Sequence, residues 1–453
     1  MVKIGGKKRK IKAVILPFNI IVFFAALLSS CSINHHINKA AKNILLGDTI
    51  IGTGHIGISI YEPATNKYWY RLDADKYFVP ASNTKLFTTY AAMKYLGDSL
   101  IGLKYFLTDT AVHIYPTADP SFLHPDFKQQ IVFDFLKQQK QIIYHTKRFS
   151  ETLGKGWAWD DYLERYMVQR AELPLYGNLI RLYKNDGETS IIPKTVSHTY
   201  IKATTNNFYD TTHFAERNWD DNELRIKNND QNIVKEIIEI PLVANWQKMI
   251  GFLQDTLHKK VKIAEDTAVT INKNDNAALI KIYSQPTDSL LKPMLFNSDN
   301  FFAEQCLLMV SNQQLGYMNI EKIIDTILKN YLNNLAQKPR WVDGSGLSRY
   351  NLFTPSSFVF ILNKMINEFG AERLKRILPT GGEGTLKNYF LKDTHFIFAK
   401  TGSMSNHTAI SGLLYTKKGK LLLFSILANQ FIGSASHVRH AVESFLEGIR
   451  QKY

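Results

Sequence analysis

The sequence predicts a mixed α/β (α+β) protein in which one discontinuous domain is interrupted by a strand-rich insert. Three observations carry this. Strand and helix patterns alternate at both ends of the chain; a middle stretch, from about Ile101 to Ile240, holds short strand-like runs separated by polar segments; and no internal repeat or low-complexity tract is present. With 453 residues, 45% of them hydrophobic and 21% charged, the chain has ordinary globular composition and length for two or three domains. The parts are expected at 1–30 (leader), 31–53 (tether), 54–105 with 241–453 (outer domain) and 106–240 (insert).

The leader is basic, with Lys3, Lys7, Lys8, Arg9, Lys10 and Lys12, and then apolar from Ala13 to Leu28. The apolar run is short for a membrane span, and the small residues Ser29 and Ser30 follow it, so it reads as a signal peptide. Leu28-Ser29-Ser30-Cys31 resembles a bacterial lipobox, which makes Cys31 the expected lipidation site and the membrane a partner through that lipid. The protein is then expected to face the periplasm, lipid-anchored to an envelope membrane. Without the six leader cations the chain keeps 49 basic residues against 40 acidic, an excess of +9. That suits an acidic polymer such as cell wall, and no basic, aromatic-interleaved nucleic-acid motif accompanies it. Lipid on Cys31 leaves Cys306 alone, in the apolar run Cys306-Leu307-Leu308-Met309-Val310, where it is expected to be a small buried hydrophobe.

Along the outer domain, His55 to Tyr61 and Lys67 to Leu72 read as a hairpin turned by Pro63 and Asn66. Pro80 and Ala81 introduce a helix from Ser82 through Tyr95, closed by Gly97. In the insert, Gln141 to Tyr144 and Leu179 to Tyr183 read as strands. Helical periodicity resumes at Trp246 to Leu257, Asp288 to Phe296 and Phe301 to Val310. A strand from His395 to Lys400, a hairpin of Ala409–Tyr415 with Lys420–Ala428, and a final helix follow. Val438, Ala441, Val442, Phe445, Leu446 and Ile449 give that helix an apolar stripe.

Three short motifs bear chemistry. In Ser82-Asn83-Thr84-Lys85 the serine and lysine are three apart; about two such pairs arise by chance in a chain this long. On a helix, however, that spacing brings the amine within reach of the hydroxyl, as a nucleophile and its base require. The base must be uncharged, through burial or a neighbouring cation, for which Lys400 is the candidate. The plain alternative is Ser82 as an N-cap with Lys85 solvated. Ser298-Asp299-Asn300 joins two helical patterns: Ser298 is suited to relay a proton to a leaving amine, Asn300 to bind a substrate carbonyl, and Asp299 to hold the loop or face solvent. Alone, this run is equally an ordinary helix cap. Lys400-Thr401-Gly402 ends a strand along which a peptide can pair, with Gly402 permitting close approach. The N–H groups of Ser82 and Ser403 are then placed as an oxyanion hole, and Lys400 and Thr401 as the holders of a substrate carboxylate. A lysine here is otherwise an edge gatekeeper.

This trio is the known signature of penicillin-binding proteins and class A β-lactamases. Ser298 lies 216 positions after Ser82, far more than in the β-lactamases, and with Asp343-Gly344-Ser345-Gly346-Leu347-Ser348-Arg349, Gly384-Thr385-Leu386 and Gly156-Trp157-Ala158-Trp159-Asp160-Asp161 the chain resembles the penicillin-binding protein 4 type of D-alanyl-D-alanine carboxypeptidase/endopeptidase. The resemblance implies a transpeptidase-like domain, a five-stranded antiparallel sheet flanked by helices, with the Asp343 run as a loop at the cleft rim. It implies as substrates peptidoglycan stem peptides ending in D-Ala, cleaved through a Ser82 acyl-enzyme, and β-lactams as covalent inhibitors. Ala118-Asp119-Pro120 departs from the family's Gly-Asp-Pro, and Glu383 stands for its Asp. No cofactor and no metal are expected, since the 13 histidines are scattered. A β-lactamase needs a deacylating glutamate, and Glu304, Glu321, Glu368, Glu372 and Glu383 lie in the relevant interval without the usual setting. A penicillin-sensing or wall-binding module without turnover is the third reading.

Overall fold

The structure is a computed structural model that describes residues 34–185, 188–202, 215–228, 236–264 and 279–453. Cys31 and the leader lie outside the described residues, as do parts of the polar stretches around 186 and 230.

In chain order, residues 34–41 form helix α1, followed by β1 (His55–Glu62), β2 (Lys67–Leu72) and α2 (Lys85–Tyr95). The middle of the chain carries β3 (Ser99–Leu107), β4 (Val112–Pro116), α3 (Ile131–Gln138), β5 (Ile142–Tyr144), β6 (Leu179–Asn185), β7 (Glu188–Ile192), β8 (His198–Lys202), β9 (Ala215–Arg217), β10 (Leu224–Asn228), β11 (Glu236–Pro241), α4 (Trp246–Leu257), β12 (Val261–Ile263) and β13 (Ile280–Pro286). Then come α5 (Thr287–Phe296), α6 (Asn300–Leu315), α7 (Ile320–Asn330), α8 (Pro355–Phe369), α9 (Ala371–Ile377), β14 (Ile397–Met404), β15 (His407–Tyr415), β16 (Leu421–Asn429) and α10 (Ala435–Lys452).

The outer domain is built on a five-stranded antiparallel sheet in the order β14-β15-β16-β1-β2. Side chains alternate across a strand, so each can serve two cores. On β16, Leu423 and Leu427 join the core shared with α2, α6 and α8, while Leu422, Phe424 and Ile426 join the one shared with α10. Helices therefore cover both faces. Helix α6 is buried without a break from Phe301 to Asn312, as suits a helix at the centre of its layer, and it carries Glu304 and Gln305 into that interior.

Two expectations about domain limits are corrected. Residues 31–53 are not a tether where described: α1 and the turns after it bury Ile37, Ala41, Leu45 and Ile51 in the core that also holds Val438, Val442 and Phe445 of α10. The apolar residues 37, 41 and 45 repeat every fourth position, a helical stripe hidden among polar neighbours. The insert, expected at 106–240, extends beyond both limits. Its five-stranded sheet has the order β12-β5-β4-β3-β13 and so uses residues from 99 to 286. Strand β13 pairs with β3, which holds the entry and exit strands side by side. Two three-stranded sheets, β8-β10-β9 and β11-β6-β7, complete it.

Candidate active site

Ser82 sits in a single 3-10 turn, Ala81–Thr84, that runs straight into α2. The preceding Ala81 takes φ +46°, a left-handed conformation that a residue with a Cβ adopts at a cost, of order 1–3 kcal/mol, and that surrounding structure must hold. Gly402 is part of that hold. A Cβ there would lie 2.7 Å from the Pro80 carbonyl oxygen and 3.0 Å from Ser82 N, so glycine lets β14 close onto the turn. The close approach expected for a substrate backbone is thus made first by the protein's own Pro80–Ser82 backbone. Asn83 fastens the turn from below, its Nδ2 donating to Ser411 Oγ at 2.7 Å.

Lys85 is completely buried, with Nζ 2.9 Å from Ser82 Oγ, 2.6 Å from Asn300 Oδ1 and 2.8 Å from the Ser345 carbonyl oxygen. Both carbonyl oxygens can only accept. An uncharged amine therefore spends its two N–H bonds on them and turns its lone pair to the Ser82 hydroxyl, the arrangement a general base needs. Burial pushes the Lys85 amine down to about 8 from 10.5, while the carboxylates of Asp299, Asp343 and Glu304 pull it back up. Of the two expected causes, burial and a neighbouring cation, burial is the one that acts on Lys85, and Lys400 is not the source of the depression. Lys400, itself fully buried, is held well below its ordinary value by burial first and by Lys85 second. Lys400 Nζ donates to the Thr401 carbonyl oxygen at 2.6 Å.

Asp299 caps α6 by accepting from Phe302 N at 2.9 Å, and Ser298 is held at φ +57° just before it. The motif is thus a helix cap as well as a cleft wall. Asn300 is anchored at both ends: its Oδ1 faces Lys85 and one N–H of its Nδ2 donates to the Tyr166 carbonyl oxygen at 2.8 Å, while the Nδ2 carries a second N–H on the cleft wall. Ser82, Ser298, Asn300 and Ser403 line one cleft of about 390 Å³, shared with Asp161, Tyr166, Leu347 and Arg349. Thr401 lines instead a small apolar cavity of about 20 Å³ between the sheet and α10.

The Asp343–Arg349 run reaches deeper than the rim. Asp343, Ser345 and Ser348 are fully buried; Asp343 accepts from Gly346 N, Ser348 N, Asn351 Nδ2 and Trp157 Nε1. Glu304 accepts from Ser345 N at 2.7 Å and pairs with Arg170 of the insert at 2.8 Å. The sequence motifs point to Glu304 only as a candidate deacylating base and give Arg170 no part. The signal was there: a glutamate inside the apolar run Phe301–Val310 is a buried charge that demands a partner. Three of the other candidate glutamates are also engaged, Glu321 with Lys155, Glu368 with Lys94 and Lys364, and Glu372 with Lys375, while Glu383 precedes the turn Gly384–Leu386. Asp119 is buried against Ser121 and Ser284, away from the cleft residues. Cys306 is buried, and burial pushes its thiol far above the usual range. Among the described residues no group of His, Cys, Asp and Glu is placed to hold a metal.

Comparison with known proteins gives a consistent set of relatives. The model of the D-Ala-D-Ala carboxypeptidase 3 (S13) family matches residues 39–449. "Penicillin-sensitive carboxypeptidase A" of Dictyostelium discoideum is 23% identical over 434 residues, covering 82% of each chain. "D-alanyl-D-alanine carboxypeptidase DacB" of Haemophilus influenzae is 26% identical over 169 residues, about a third (34%) of each. Among solved structures, penicillin binding protein 4 (dacB) from Haemophilus influenzae superimposes with a TM-score of 0.70 at 18% identity, covering 92% of this chain and 99% of that one, a likeness of fold.

Proposed function

The chain belongs to the D-Ala-D-Ala carboxypeptidase 3 (S13) family, and from that premise we propose that it cleaves peptidoglycan stem peptides ending in D-Ala through an acyl-enzyme on Ser82. The observation that carries this is the environment of Lys85: buried, 2.9 Å from Ser82 Oγ and otherwise facing two carbonyl acceptors. Lys85 takes the hydroxyl proton as Oγ adds to the carbonyl of the penultimate D-Ala. The N–H groups of Ser82 and Ser403 hold the oxyanion, and Ser298 passes a proton to the leaving amine. Water then hydrolyses the ester. Where the leaving amine belongs to a cross-linked peptide, the same steps cut the cross-link.

β-Lactams acylate Ser82 by the same addition and leave slowly. The engagement of four of the five candidate glutamates, Glu304 with Arg170 above all, supports a stalled acyl-enzyme over β-lactamase turnover. Lipid on Cys31, anchoring the enzyme to face the periplasm, is the reading that Leu28-Ser29-Ser30-Cys31 supports. Metabolic labelling with a fatty-acid analogue, lost in Cys31→Ser, tests it.

Mass spectrometry of muropeptides digested by the wild type and by Ser82→Ala tests the catalytic reading. The wild type is expected to release D-Ala and the variant to release none; equal digestion by both would overturn the assignment. With nitrocefin the wild type should give one stoichiometric burst and then stall.

A further inference from the structure

We propose that Arg439, on α10, is the cation that receives the carboxylate of the leaving residue, and so sets a preference for substrates bearing an anion beside the scissile bond. The inference rests on the acylation of Ser82 proposed above.

Strand β14 divides its side chains by the two-residue alternation of an extended chain. Lys400 and Gly402 face the Lys85–Ser82 turn. Thr401 and Ser403 fall on the other side, where the Arg439 guanidinium meets both: it donates to Ser403 Oγ and shares with Thr401 the wall of the small cavity under the sheet. Ser403 is exposed and also lines the cleft with Ser82, so the guanidinium lies one hydroxyl away from a residue of that cleft, at the sheet's edge. Among the described residues no carboxylate pairs with Arg439; its recorded polar contact is a neutral hydroxyl.

Lys400 is poorly suited to the task that its motif suggests. It has no exposed surface, its amine donates to the Thr401 carbonyl oxygen, and burial favours its uncharged form. The cation on the cleft wall itself, Arg349, belongs to the Asp343–Asn351 loop and shares that wall with the carboxylate of Asp161. A leaving residue whose scissile carbonyl lies between Ser82 N and Ser403 N extends its carboxylate along the edge of β14. There it meets the Ser403 hydroxyl and a planar, always-charged fork suited to two parallel hydrogen bonds.

The test compares acylation of Ser82 by benzylpenicillin and by its uncharged methyl ester, followed by intact-protein mass spectrometry, in the wild type, Arg439→Gln and Arg439→Lys. The wild type should react faster with the acid than with the ester. In Arg439→Gln the rate with the acid should fall about 10- to 100-fold, the span of one or two charge-assisted hydrogen bonds, and the acid-to-ester ratio should shrink by the same factor. Arg439→Lys should restore part of the ratio. Equal slowing of acid and ester, which marks loss of packing, or an unchanged ratio, overturns this inference alone. A wild type that is not acylated at Ser82 by either compound overturns the reading of the site and this inference with it.

Discussion

Arg170 and Glu304, 134 positions apart in sequence, meet in an ion pair at 2.8 Å with only 3% and 0% of their side chains exposed. The pair joins the insert to α6. Through Ser345, whose N–H donates to Glu304 and whose carbonyl oxygen faces Lys85, it also sets the position of the proposed base. Breaking such a pair leaves a buried charge uncompensated, at a cost of about 3–5 kcal/mol, whereas removing both charges together costs far less. Arg170→Met should therefore lower stability in urea unfolding by roughly that amount, and adding Glu304→Gln should restore most of it. Simple addition of the two single effects would show that the charges do not interact.

The depressed Lys85 amine makes both rate and stability depend on pH. Only the uncharged amine accepts the Ser82 proton, so the rate of acylation should rise with pH through about 8 and level off above it. Stability follows the same sign. Between about 8 and 10.5 the unfolded chain binds a proton on Lys85 that the folded chain does not, so stability rises with pH across that window and the gain is lost as pH falls to about 8. Relative to Lys85→Met, the wild type should gain up to about 3 kcal/mol across the window, read from unfolding curves at matched pH. A gap that stays constant with pH would mean that the folded amine titrates as in the unfolded chain.

What the sequence made legible was periodic or local. Helix α4 falls at Trp246–Leu257 as its spacing predicts, and Ser82 and Lys85 meet because three residues make about one helical turn. What stayed hidden needed contacts across the chain. The Ser345 carbonyl oxygen and Asn300 Oδ1 reach Lys85 from 260 and 215 positions away, and no local pattern records that. The limits of the insert failed for the same reason, since β3 and β13 become one sheet only on pairing. The expected part of Thr401 failed at the scale of one residue: alternation along β14 sends its side chain to the cavity beside α10.

The N-terminal segment offers a separate check, because a tether and a core helix respond oppositely to truncation of an apolar side chain. Leu45 is fully buried in the core beneath α10. Leu45→Ala should cost about 2–5 kcal/mol in urea unfolding, the range for emptying a packed leucine site, and leave Ser82 acylation per folded molecule unchanged. A cost below about 0.5 kcal/mol, typical of exposed sites, would return the segment to a tether.

The sharpest local test is Gly346→Ala. Gly346 takes φ +84°, and a Cβ there would lie 1.9 Å from the Ala81 carbonyl oxygen and 2.8 Å from Thr84 Oγ1. A contact that short cannot be borne, and the atom that must yield belongs to the backbone of the residue before Ser82. The turn cannot retreat freely, since Gly402 packs against it and Asn83 ties it to Ser411. The displacement therefore falls on Ser82 and on the loop that supplies the Ser345 carbonyl oxygen to Lys85. A shift of about 1 Å in a reacting group costs on the order of 100-fold in rate, so acylation by a β-lactam should fall at least that far. Gly251→Ala is the control: inside α4, with nothing within 4 Å of its Cβ, it should stabilise by about 0.5–1 kcal/mol and leave the acylation rate as it was. Near-normal acylation in Gly346→Ala would mean that the loop, and not the turn beneath Ser82, gives way, and that the proposed nucleophile is held less firmly than its contacts imply.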